Sequence, residues 1–342
     1  MKKRYLLTAL TLVMAACTPP PGQVGQQGTP ASKGEYLYVF NGLGKTIDAI
    51  NLKTREVASG VFKTGAYPNQ FVSNDALTYL VNSGDASIDV LDLKARTKRD
   101  SIALRTGTNP FTLTLADGGK GLVLHSEFMT NFRELAWMDL GTRTLEATAS
   151  VPKLAWTDTG CVIAKGKVYV PAVEGEYGAP STYSGLYVFD LATHALLKTI
   201  ALEPTANPTA IALAPNGMVH VGVKDGVSVV DPATDQVSKH IPLGAAIDAI
   251  RYLSADKAYA QVFGGLVSFN PATGEVLRDA SHKIEAPASQ PGTFRIFKQA
   301  AYVSNFASDS IRVIDLLTET ASGSDIPVGD GPQDMTFVTV EE

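Results

Sequence analysis

Five histidines, His125, His194, His220, His240 and His282, carry the widest range of chemistry in this chain of 342 residues. None stands at metal-ligand spacing from another, and no Cys-x-x-Cys-His motif or cysteine cluster accompanies them, so neither a haem nor a structural zinc is expected. Gly-x-Ser-x-Gly, His-Glu-x-x-His and phosphate-loop patterns are missing too, which removes the usual hydrolase, metalloprotease and NTPase signatures. Two dispersed sets remain. Asp248 and Asp334 offer the oxygens a hard divalent cation prefers. Phe128, Asn131, Phe132, Arg133, Trp156, Asp158, Glu174, Tyr177 and Tyr183 form an aromatic and charged set suited to a saccharide, peptide or protein contact. Both sets need a fold to gather them.

Internal repetition supplies one. The last stretch, Ala301 to Glu342, reads as a strand ending in Asn305, a second strand from Ile311 to Leu316, a Thr-containing turn, a third segment, a Gly-x-x-Pro corner at Gly329 to Pro332, and a final strand from Met335 to Val340. Its strand-closing Asx recurs as Asn51, Asp92, Asp139, Asp190, Asp231, Asn270 and Asp315, at spacings of 41, 47, 51, 41, 39 and 45 residues. A Thr follows three positions later except at Ala95, which is the chemistry of side chains that hydrogen-bond a tight turn. Corners of the same type occur at Gly65 to Pro68 and Gly107 to Pro110, with a remnant at Thr205 to Pro208.

The segments Tyr38-Val39-Phe40-Asn41, Tyr79-Leu80-Val81-Asn82 and Tyr302-Val303-Ser304-Asn305, each followed by an Asx-ended strand and a Gly-x-x-Pro corner, resemble the YVTN-type β-propeller repeat. The resemblance spans Glu35 to Val340. It implies an all-β fold: a single seven-bladed propeller of four-stranded antiparallel blades. Hydrophobic content of 45% with 30 Gly and 19 Pro suits such short strands and turns. The chain starts on the second strand of a blade and ends with a spare strand. Met335–Val340 is therefore expected to complete the first blade beside Tyr36–Asn41, Thr46–Asn51 and Glu56–Phe62. The remaining innermost strands are expected near Phe71, Leu113, Cys161, Ile211, Ala249 and Phe294.

Ahead of the propeller, Lys2, Lys3 and Arg4, the apolar run Tyr5 to Val13 and Met14-Ala15-Ala16-Cys17 read as an export signal. It resembles a bacterial lipoprotein signal (residues 1–17), which implies acylation of Cys17 and anchoring to the cell envelope at the outer membrane or cell surface. Residues 18–34 are too poor in bulky apolar side chains to order themselves and read as a tether spanning about 23 Å. The domain proper is residues 35–342. Without residues 1–17 the chain carries 26 basic against 34 acidic side chains, net −8, the wrong sign for nucleic acid. Cys161 would then be the sole cysteine beside a lipidated Cys17, leaving no internal disulfide, and it reads as a small core residue. A monomer is expected.

Two repeats are enlarged, by Ser126 to Arg133 and by Ala172 to Ser184. In an up-and-down blade both insertions emerge on the rim that carries the Gly-x-x-Pro corners, where a ring of repeats presents its binding surface. The aromatic and charged set falls on and between these insertions. Alignment of the innermost strands puts Gln70, Thr112, Thr159, Ala210, Asp248, Thr293 and Asp334 at the top of the central channel, as a hydrated lining or, through Asp248 and Asp334, a cation site. His125 replaces the strand-ending Asn beside the first insertion. The reading is a lipid-anchored binding or scaffold module without catalysis and without a bound cofactor. The competing one is a lactonase-like or quinoprotein-like propeller enzyme with a metal at the channel mouth.

Overall fold

The computed structural model describes residues 30–74, 76–127, 132–151, 160–174, 183–203, 205–286 and 292–341, excepting the side chains of Glu127, Phe132 and Glu174. They form seven antiparallel sheets, and in all but the first the chain runs from the innermost strand outward. Blade one is closed by both ends of the chain: Pro332–Val340 lies beside Gly34–Asn41, which pairs with Thr46–Asn51 and then Val57–Lys63. The register sets Val39 opposite Met335 and Leu37 opposite Phe337. The expected seam is therefore present, with strand ends differing by one to three residues. Innermost strands of the other blades are Pro68–Ser73, Pro110–Ala116, Val162–Ala164, Ala210–Leu213, Ala249–Tyr252 and Phe294–Phe297. Cys161 stands just before its strand. Burial pushes its thiol up to about 11, and Sγ contacts Thr114 Oγ1 at 3.4 Å, so it is an inert core residue. No helix among the described residues is long and apolar enough to cross a membrane.

The outermost strands of blades six and seven are each broken in two. Val276–Arg278 with Ile284–Glu285, and Thr320–Ala321 with Ile326–Pro327, pair with the same third strand. The apolar core is divided among the seven contacts between blades. Tyr169, Leu186 and Val188 of blade four, for example, meet Val219, Val221 and Val230 of blade five. Sheets covered on both faces need apolar residues at consecutive positions, which is why the second and third strands read as apolar runs.

The repeated anchors have local causes. Every strand-closing Asx accepts backbone N–H groups of its own turn: Asn51 from Lys53 and Thr54 (3.0 and 3.1 Å), Asp139 from Thr142 (2.7 Å), Asp190 from Thr193 (2.7 Å). Asp92 accepts from Ala95 N at 2.9 Å, so the bond needs only the backbone of the third residue and tolerates the missing hydroxyl. At the opposite rim the buried Asn of the second strand packs against the corner glycine. A Cβ on Gly329 would lie 2.5 Å from Asn41 Nδ2, and one on Gly65 2.8 Å from Asn82 Cγ. The glycine is thus required by close approach.

Four residues after each Asx, the chain adopts a positive φ of 50° to 81°, at Arg55, Arg96, Arg143, His194, Asp235, Gly274 and Glu319. Only one is glycine. Side chains would normally avoid this region at a cost of about 1 kcal/mol or more, and here six of them reach into the preceding blade. Arg96 Nε donates to Tyr38 Oη (3.3 Å), Arg143 pairs with Asp100, and His194 packs on Trp137 at 4.7 Å between ring centres. Asp235 takes Lys167 Nζ (2.7 Å) and Tyr169 Oη (2.5 Å), Glu319 takes Lys257 Nζ (2.8 Å) and Tyr259 Oη (3.0 Å), and Arg55 reaches Ser322 O (2.7 Å). These latches ring the rim that bears the Asx turns.

Candidate functional site: channel mouth and corner rim

Pairing across the first hairpin of each blade fixes which residues stand level at the channel mouth. Asp334 faces Phe40, Gln70 faces Val81, Thr112 faces Leu124, Ala210 faces Gly222, and Ala249 faces Gln261. Thr293 joins them in blade seven through its carbonyl bond from Ser304 N. Asp248 therefore lies one residue nearer the corner than the sequence alignment puts it, and Gly160 takes the level assigned to Thr159, itself outside the described residues. The shift has a physical cause. Bulges between Pro68 and Gln70 and between Pro110 and Thr112 add a residue at some corners and not at others.

An innermost strand has one paired edge, so its other N–H groups need partners from elsewhere. Two mouth residues supply them sideways. Asp334 Oδ2 accepts from Phe71 N in blade two (3.0 Å), and Gln70 Oε1 accepts from Leu113 N in blade three (2.7 Å). Arg295 of blade seven clamps the same carboxylate, with Nε 3.1 Å from Oδ1 and Nη2 2.8 Å from Oδ2. Asp334 thus ties three blades and its charge is met by a guanidinium. Asp248 is separated from it by the innermost strand of blade seven. Among the described residues no three His, Cys, Asp or Glu side chains gather as a metal site. Arg295 escaped the sequence reading, although a charge inside the apolar run Phe294-Arg295-Ile296-Phe297 was a signal.

His125 stands opposite Pro110, as Asn41 and Asn82 stand opposite Pro332 and Pro68, so it does occupy the Asn position. It is 4% exposed. Burial pushes its pKa down to about 4, with the nearby Arg105 charge adding to the fall and a hydrogen bond with the Thr108 backbone opposing it. It is neutral near pH 7. With Arg105, Glu134, Ala136 and Met138 it borders a cavity of about 160 Å³ between blades two and three.

The two enlarged repeats take the form of lengthened hairpins on the corner rim. Blade three pairs Lys120–Glu127 with Phe132–Asp139, and blade four pairs Lys167–Glu174 with Tyr183–Asp190. Each runs two residue pairs past the level of His125 or Ala172, ending at Glu127 opposite Phe132 and Glu174 opposite Tyr183. Tyr183 turns back on its own blade, its hydroxyl donating to Ile200 O at 3.3 Å. Arg133 is half-buried, and its carbonyl accepts Val151 N at 3.2 Å. Cys17, Phe128, Asn131, Trp156, Asp158 and Tyr177 lie outside the described residues, and only the backbones of Phe132 and Glu174 are placed.

No family model and no curated protein matches the chain. Solved structures do match it. A functionally unknown protein from Desulfotomaculum acetoxidans superposes with a TM-score of 0.68 at 10% identity, over 90% of this chain and 99% of that one. A candidate 6-phosphogluconolactonase from Bacteroides fragilis gives 0.66 at 15% identity, over 94% and 100%. The dihydro-heme d1 dehydrogenase NirN gives 0.55 at 13% identity, over 93% and 83%. Likeness at these identities shows the propeller fold, and function must be argued from the site.

Proposed function

We propose that this chain is an extracytoplasmic β-propeller of YVTN type, held to the cell envelope by an acylated Cys17, that serves as a binding or scaffold module for a protein, peptide or saccharide. One observation carries the reading: the two lengthened hairpins belong to adjacent blades and project from the same rim. The second-to-third-strand hairpins of the other five blades end at the level of the rim Asn, so these two give the propeller one raised, asymmetric contact face. The signal-like residues 1–17 and the polar, Pro- and Gly-rich residues 18–34 support export and tethering. A channel-mouth metal enzyme has less support, because Asp334 is committed to Arg295 and to blade closure.

Deleting Gly175–Thr182 should leave the propeller folded and remove capture of its partner in a pull-down from envelope extract. Unchanged capture would reject the rim as the contact face. Elemental analysis of the purified protein tests the competing enzyme, since a stoichiometric divalent ion would favour it. Metabolic labelling with a fatty acid should mark the wild type and not Cys17→Ser.

A further inference from the structure

Two of the latches show one chemistry that fits the slot beneath them. Between blades four and five the Asp235 carboxylate lies between Lys167 Nζ (2.7 Å) and the Tyr169 hydroxyl (2.5 Å). Between blades six and seven Glu319 lies between Lys257 Nζ (2.8 Å) and the Tyr259 hydroxyl (3.0 Å). Each slot is a carboxylate held by an ammonium and a phenol. At the seam between blades seven and one, Tyr302 stands at the phenol position, but the latch residue is Arg55. Its guanidinium is directed to Ser322 O (2.7 Å) and Ser324 O (3.3 Å). The latch residue of this slot therefore brings no carboxylate.

A groove of about 520 Å³ opens beside Tyr302, within the usual size of a small-molecule site. Phe297 and Tyr302 line it. Phe337 stands behind them, stacked on Phe297 at 4.7 Å and 19° and edge-on to Tyr302 at 5.2 Å and 66°. Lys53 and Lys298 stand in the wall, and Lys298 Nζ is 5.3 Å from the centre of the Phe297 ring. We propose that this seam groove binds a small aromatic monocarboxylate. Its ring lies against Phe297, and its carboxylate meets Tyr302 and the lysines in the place that Asp235 and Glu319 fill in their own slots. Glu35, 2.6 Å from Lys298, and Asp315 also line the groove. They weaken binding of any anion and disfavour dianions.

The test is calorimetric titration of the full chain with benzoate, with benzamide as the neutral isostere. Benzoate should bind saturably and about tenfold more tightly than benzamide, the margin of a charge-assisted hydrogen bond. Tyr302→Phe, which keeps the buried ring, and Lys298→Gln, at a side chain 65% exposed, should each weaken benzoate about tenfold. Glu35→Gln should tighten it. Deletion of Gly175–Thr182, between strands that end on the opposite rim at Glu174 and Tyr183, should leave it unchanged, so this inference and the rim reading fail separately. No saturable benzoate binding, equal binding of benzamide, indifference to Lys298→Gln, or loss on the rim deletion would each overturn the proposal.

Discussion

Glu319→Ala isolates what one latch contributes to holding blades together. The carboxylate is 15% exposed and accepts from Lys257 Nζ at 2.8 Å, Arg278 Nε at 2.9 Å and Tyr259 Oη at 3.0 Å. Lys257 and Arg278 are 32% and 33% exposed and regain water when the acid is removed, so each pair contributes only about 0.5–1 kcal/mol. Tyr259 is fully buried and would keep only a 3.5 Å contact to Leu316 O, at a cost of about 1–2 kcal/mol. The expected loss is about 2–4 kcal/mol, or about 5 °C in Tm for a domain of this size. Urea unfolding followed by circular dichroism reads it directly. Glu319→Gln, which keeps an acceptor for Tyr259, should lose about half as much. Thr318→Ala, one residue earlier and exposed, should stay within about 0.5 kcal/mol. Acidification supplies a second reading. Burial alone would raise the Glu319 pKa, yet its hydrogen bonds from Lys257, Arg278 and Tyr259 hold it below the usual glutamate value. A lowered acid contributes stability above its unfolded pKa of about 4.3 and loses it as pH falls through the folded value. The deficit of Glu319→Ala should therefore shrink below about pH 4. A variant as stable as wild type at pH 7, or a deficit that grows on acidification, would refute the latch.

Burial pushes both His125 and His220 down to about 4, helped by the Arg105 and Lys239 charges respectively. The unfolded chain binds these protons first as pH drops below about 6.5, so stability should fall between there and pH 4 by up to about 3 kcal/mol per histidine. His125→Asn, which restores the residue found at this position in blades one and two, should remove about half of that slope in urea unfolding; an unchanged slope would refute it. Asp334→Ala leaves Arg295 with the Met335 carbonyl at 3.2 Å and takes the acceptor from the Phe71 N–H, and should cost about 3 kcal/mol, with Asp334→Asn milder. A neutral Asp334→Ala would show that the tie does not carry closure. Ending the chain at Gly331 removes the innermost strand of blade one and should abolish cooperative melting, and a native-like melting curve would contradict the seam.

The features legible in the sequence are the local ones. An Asx turn is made by a side chain and backbone two or three residues away, so seven copies could be counted and the blades placed around them. Ring closure was legible as well, because a missing first strand and a surplus last one leave a single way to avoid an open edge. Other features depend on partners far along the chain. Arg96 meets Tyr38 across 58 residues, and Asp334 meets the Phe71 N–H across 263. Nothing near Asp334 in the sequence distinguishes a blade tie from a cation ligand. The level of Asp248 depended on bulges set by strand pairing, which a one-residue count cannot see. The sequence alone thus determined the number and order of sheets, since turn chemistry and strand pattern act over a few residues. Only the tertiary structure decided which side chains cross between sheets, and that Arg55 leaves the groove beside Tyr302 without a latch carboxylate, because those contacts exist only once the ring is closed.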